Sequence, residues 1–78
     1  MRISTDFLYQ QGMKYWLGHG VDADAVAAHK WFNLAAQFGN AKAVKLREGL
    51  LEEMSSEQLR TAQQQAREWL ASRSGAQA

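Results

Sequence analysis

No proline interrupts the 78 residues of this chain, and its turn-forming residues gather at three places: Gly18-His19-Gly20, Gly39-Asn40 and Ser55-Ser56. Without proline nothing sterically stops a helix, so helix is favoured between these marks. The intervening stretches repeat apolar residues every three or four positions, and none sustains the alternation of a half-buried strand. The spacing predicts four helices. The first runs from about Thr5 to Leu17 with Leu8, Gly12 and Tyr15 on one face. Ser4, Thr5 or Asp6 opens it, and Gly18 closes it as a left-handed cap. The second runs from about Ala23 to Phe38 with Ala27, Ala28, Trp31, Leu34, Ala35 and Phe38 in register. Asp22 or Asp24 starts it and Gly39 ends it. The third, from about Asn40 to Met54, carries Ala43, Leu46, Leu50 and Met54. The fourth opens on the capping box Ser55-Ser56-Glu57-Gln58 and continues with Leu59, Ala62, Ala66, Trp69 and Leu70.

Short connections force antiparallel neighbours, so the expected fold is all-α, two helical hairpins in succession. The expected organisation is a flexible N-terminus over 1–5, one domain over 6–73 and a disordered tail over 74–78. A chain this small sits near the lower limit for a single core, and with no cysteine it has no disulfide to staple it. Three tryptophans, three phenylalanines and many alanines suit dense packing instead. A net charge of +1 with interleaved signs argues against a dedicated nucleic-acid binder. No stretch approaches the roughly 20 apolar residues of a membrane span, and no apolar run of signal-peptide length precedes Asp6. The expectation is a cytoplasmic protein with neither nucleic acid nor membrane as partner.

A shift of about 35 residues superposes the apolar stripes of the two helix pairs, a period typical of helical solenoids. Within the first pair the residues are spaced as Gly12-x-x-Tyr15, Gly18-x-Gly20-Val21, Asp24, Ala28, Trp31-Phe32, Ala35-Ala36 and Gly39. This pattern resembles the Sel-one-like repeat, a relative of the tetratricopeptide repeats, and covers about half the chain. Gln11 departs from it where leucine is preferred, and Ala27 where lysine is usual. The second half departs further: Arg47 and Glu48 stand where leucine and glycine would open the next repeat, and Glu53 to Ser56 replace the glycine loop. Residues 6–39 then form a well-matched repeat and 40–73 a degenerate capping pair. The resemblance implies a short α/α superhelix and a scaffold that assembles other proteins. Gly12 is expected to let the first two helices meet closely, with Tyr15 and Trp31 filling the space between them.

Chemistry-bearing leads are few. Gly18-His19-Gly20-Val21-Asp22-Ala23 satisfies a dinucleotide-binding fingerprint, but that motif needs a preceding strand and an acid about 20 residues on. Here a helix precedes it and position 38 is Phe, so no cofactor is expected. His19, Asp22 and Asp24 lack the spacing and ligand types of a zinc site, so no metal is expected. His19 and His29 are both expected to be partly exposed, with His29 pointing away from Trp31. Glu48 and Glu52 are neighbours on the third helix, expected on a solvated face rather than in an acid–base pair. A small enzyme built on Glu48, Glu52 and His29 is the remotest reading.

The first helix carries one surplus stripe, Tyr9, Met13 and Trp16, beside its core stripe. A helix in a two-layer hairpin needs one buried face, so a second aromatic stripe calls for a partner. With Val44, Glu48 and Leu51 on the third helix it forms the expected binding face. The expected function is non-catalytic: a module that binds a protein or peptide on this helix 1/helix 3 face. Self-association as a homodimer is the natural addition, because a short repeat array exposes a stacking face. The alternatives are a regulatory subunit or inhibitor that occludes an enzyme, or a stripe consumed by the chain's own fourth helix.

Overall fold

The computed structural model, which describes residues 4–74, is built from four helices: α1 Thr5–Leu17, α2 Ala25–Gln37, α3 Ala41–Leu51 and α4 Ser56–Ser74. No strand occurs among the described residues. Every helix starts where a side chain accepts a hydrogen bond from the N–H three residues on, removing one of the orphan donors of a first turn. Ser4 Oγ accepts from Phe7 N at 3.2 Å, Asp24 Oδ1 from Ala27 N at 3.1 Å and Asn40 Oδ1 from Ala43 N at 3.0 Å. At α4 the capping box closes reciprocally: Gln58 N donates to Ser55 Oγ at 3.1 Å, and Ser55 N donates to Gln58 Oε1 at 3.0 Å.

These caps correct the expected limits. Asp24 rather than Asp22 opens α2, so Ala23 lies outside the helix. α3 ends at Leu51 because Glu53 N donates to Leu50 O in a tight turn, which takes Met54 out of the helix. Ser4 and Thr5 are the cap and first residue of α1, not part of a loose end. Residues 1–3 and 75–78 of the expected flexible ends lie outside the described residues, while Ser74 closes α4.

The closest backbone approaches all run from α2, to α1, to α3 and to α4. The core is correspondingly built around it, with Ala28, Phe32, Leu34 and Ala35 of α2 buried against Leu8, Ala43, Leu50 and Ala66. On α4 the fully buried positions are Ala62 and Ala66, small enough to let its backbone come close, while Trp69 and Leu70 are half-buried. Gly12 is buried on α1 for a related reason. A Cβ there would overlap Cδ1 and Cε1 of Phe32 and stand 3.0 Å from its Cγ.

Phe32, not Trp31, therefore fills the space under Gly12. Phe32 is fully buried, whereas Trp31 and Tyr15 are half-buried and pack at the margin of the core. Phe38 also leaves the stripe assigned to it: it is the C-terminal cap of α2 and 42% exposed. Gly39 follows at φ +99, a left-handed conformation that turns the chain toward α3. No helix among the described residues is long and apolar enough to cross a membrane.

Candidate functional site

The turn Gly18 to Asp24 is tied back to α1 by backbone hydrogen bonds at both ends. Gly18 N and His19 N both donate to Lys14 O, at 2.9 and 3.0 Å, and Asp24 N donates to Tyr15 O at 2.9 Å. Gly18 (φ +72) and Gly20 (φ +78) supply the left-handed steps, and a Cβ on Gly18 would stand 3.4 Å from Ala23 N and Val21 O. Asp24 is engaged as the α2 cap. Val21 is half-buried and His19 exposed. These residues reverse the chain between α1 and α2.

The face nominated on α1 and α3 is partly drawn into the core. Tyr9, Met13 and Trp16 are half-buried and pack against the central cluster. Tyr9 does so through Phe32, ring centroids 6.0 Å apart and tilted. Val44 is also half-buried, while Glu48 is exposed and Leu51 is 43% exposed. For Tyr9 the half-burial has a packing cause: α2 presents a large ring at Phe32, which reaches beyond the Leu8–Gly12 stripe to the next residue round α1.

The first turns of α1 and α3 are nevertheless brought together. Lys42 Nζ lies 5.9 Å from the centroid of the Tyr9 ring. Beside it is a shallow cleft of roughly 360 Å³, lined on the α1 side by Thr5, Asp6, Tyr9 and Gln10 and on the other by residues 39–42. The exposed Glu48 and Leu51 sit toward the other end of α3.

A second aromatic arrangement crosses α1, α2 and α4. Phe7 meets Trp31 edge-on with centroids 6.2 Å apart, and Trp31 meets Trp69 edge-on at 5.6 Å. Cations lie over two of the rings, Lys30 Nζ 4.7 Å from Trp31 and the Arg73 guanidinium 4.9 Å from Trp69. Phe7 is 52% exposed, the largest exposure of any large apolar side chain described. Sequence periodicity misses this row because Phe7 lies one residue off the α1 core stripe and its partners come from two other helices. The signal available was Phe7 itself, a large apolar residue without a place in any stripe.

His29 departs most from expectation. It is only 2% exposed, and neither Nδ1 nor Nε2 has a hydrogen-bond partner. Burial, and then the positive charge of Arg47, lower its pKa below the usual imidazole value of 6.5. Arg47 reaches from α3 to α2, where its guanidinium donates to Asn33 Oδ1 at 3.1 Å. The helical register accounts for the burial: His29 follows the buried Ala28 and lies one turn before Asn33, the α2 residue that Arg47 of α3 reaches. Glu48 and Glu52 are both exposed, on the solvated face expected for them.

Comparison with protein-family models, with curated proteins and with solved structures finds no match to this chain. Among the described residues the protein is all-α, with four helices packed around α2.

Proposed function

We propose that the chain is a non-catalytic interaction module, binding a partner protein or peptide on the α1/α3 face. The observation that carries this reading is the meeting of the two helices' first turns beside Tyr9, where a cleft opens between them. Aromatic rings held half-buried are fixed in place yet keep an edge for contact, so a partner gains area with little loss of side-chain entropy. Toward the other end of α3, the exposed Leu51 and Glu48 add an apolar side chain and a charge to that helix's surface. Gly12, Gly18, Gly20, Asp24 and Gly39 stand at positions where the sequence resembles a Sel-one-like unit, and that resemblance implies scaffolding. A cytoplasmic setting goes with this reading, since a chain without cysteine depends on no disulfide.

The test is affinity capture with the native protein and with Trp16→Ala and Leu51→Glu, alongside mass photometry. The reading expects both variants to fold and to lose a partner that the native chain retains. Unaltered partners with an unaltered oligomeric state would refute it. Loss of a homodimer alone would instead make the face a seam between copies of the chain.

A further inference from the structure

We infer that His29 is an acid-sensitive latch on the α2–α3 seam: when its imidazole takes up a proton, α3 is released from α2. The latch does not depend on the binding role proposed above. Buried polar atoms are nearly always hydrogen-bonded, yet both ring nitrogens of His29 are shielded from water and unpartnered. A second N–H and a full charge at this place would need an acceptor or a counter-charge, and no protein group hydrogen-bonds the ring.

The surrounding charges make the protonated ring harder to hold. Arg47 of α3 is the charge that acts on it, and it repels an imidazolium. The carboxylates on the packed helices are Asp6 on α1, Glu48 on α3, and Glu57 and Glu68 on α4. None of them hydrogen-bonds the ring, and neither does Asp24 at the start of α2. The remaining cations, Lys14 on α1, Lys30 on α2, Lys42 and Lys45 on α3, and Arg60, Arg67 and Arg73 on α4, offer no counter-charge.

The seam that yields is identified by Arg47. Its bond to Asn33, one turn along α2 from His29, places both residues on the side facing α3. α3 is also the shortest helix, with 11 residues, and its fully buried side chains are Ala43 and Leu50. Releasing it gives the ring a path to water while the α1–α2 pair, closed by Gly12 and Phe32, stays packed.

The sign follows from linkage. Because the folded ring takes up a proton less readily than the ring of the unfolded chain, the stability it contributes is fully present above about 6.5 and is lost as the pH falls below that value. The unfolding equilibrium constant rises by up to about tenfold per pH unit within this window. Amide hydrogen exchange, corrected for its intrinsic pH dependence, and denaturant melts between pH 7.5 and 5 read the effect. The expected result is that α3 amides lose protection at higher pH than α1 amides, and that the native protein weakens as pH falls. His19→Gln should keep this response, whereas His29→Phe should flatten it. Arg47→Gln should reduce the acid loss, and it carries the test if His29→Phe does not fold. A flat native profile, a response removed by His19→Gln, or simultaneous loss of protection in α1 and α3 would overturn the latch.

Discussion

Replacing glycine by alanine inside a helix ordinarily stabilises it by roughly 0.5–1 kcal/mol, because glycine loses more backbone freedom on folding. Among the described residues, two glycines sit within helices, and they should respond with opposite signs. Gly49 is exposed on α3, and a Cβ there would meet nothing within 4 Å. Gly49→Ala should therefore raise the melting temperature by about 2–8 °C, at roughly 4–8 °C per kcal/mol for a domain of this size. Gly12 is buried, and the new Cβ would overlap the edge of the Phe32 ring. Ordinary carbon–carbon contacts fall at about 3.5–4.0 Å, so the ring has to move. It has nowhere simple to go: Phe32 is fully buried, with the Tyr9 ring beside it.

Overpacking of this kind costs about 1–3 kcal/mol. The depth of the overlap argues for the upper end, about 3 kcal/mol, against about 1 kcal/mol gained in propensity. The net is a loss of about 2 kcal/mol and a fall of roughly 8–16 °C in Tm. The assay is a pair of thermal and urea melts for each variant, completed by Phe32→Leu and the Gly12→Ala/Phe32→Leu double variant. If the ring is what the Cβ meets, the double variant should be more stable than the two single effects sum to, by about 1 kcal/mol or more. A Gly12→Ala protein that melts higher than the native chain, as Gly49→Ala should, would refute the α1–α2 contact and the reasoning from it.

Other substitutions test the helix starts and the aromatic row. Asp24→Ala removes the acceptor of Ala27 N and should cost about 1 kcal/mol in a urea melt, as should Ser55→Ala at the α4 box. Phe7→Ala should cost about 0.5–1.5 kcal/mol despite the exposure of that ring, because its edge-on contact with Trp31 is lost. Phe32→Ala should cost about 3–5 kcal/mol, a large share of the stability of a domain this small, and broaden or abolish its cooperative melt.

The legible part of this protein is the part governed by residues close in sequence. Ser4, Asp24, Asn40 and Ser55 each act on an N–H three residues away, so the helix starts fall within a residue or two of where turn chemistry predicts. Gly18 and Gly39 announce their turns because few residues other than glycine adopt a positive φ without strain. The candidate site was less legible. Tyr9, Met13 and Trp16 read as a surplus stripe when α1 is considered alone, but half-burial depends on how far the neighbouring helix reaches.

The sequence by itself determined four helices, their order and the turns between them, since propensity, capping and left-handed glycines act within one turn of chain. Only the tertiary structure decided which helix is central and which ring fills the space over Gly12. It also buried His29 beside Arg47 and set Phe7, Trp31 and Trp69 edge to edge. Those outcomes depend on close packing between residues far apart in sequence, where the volume of one side chain sets the place of the next.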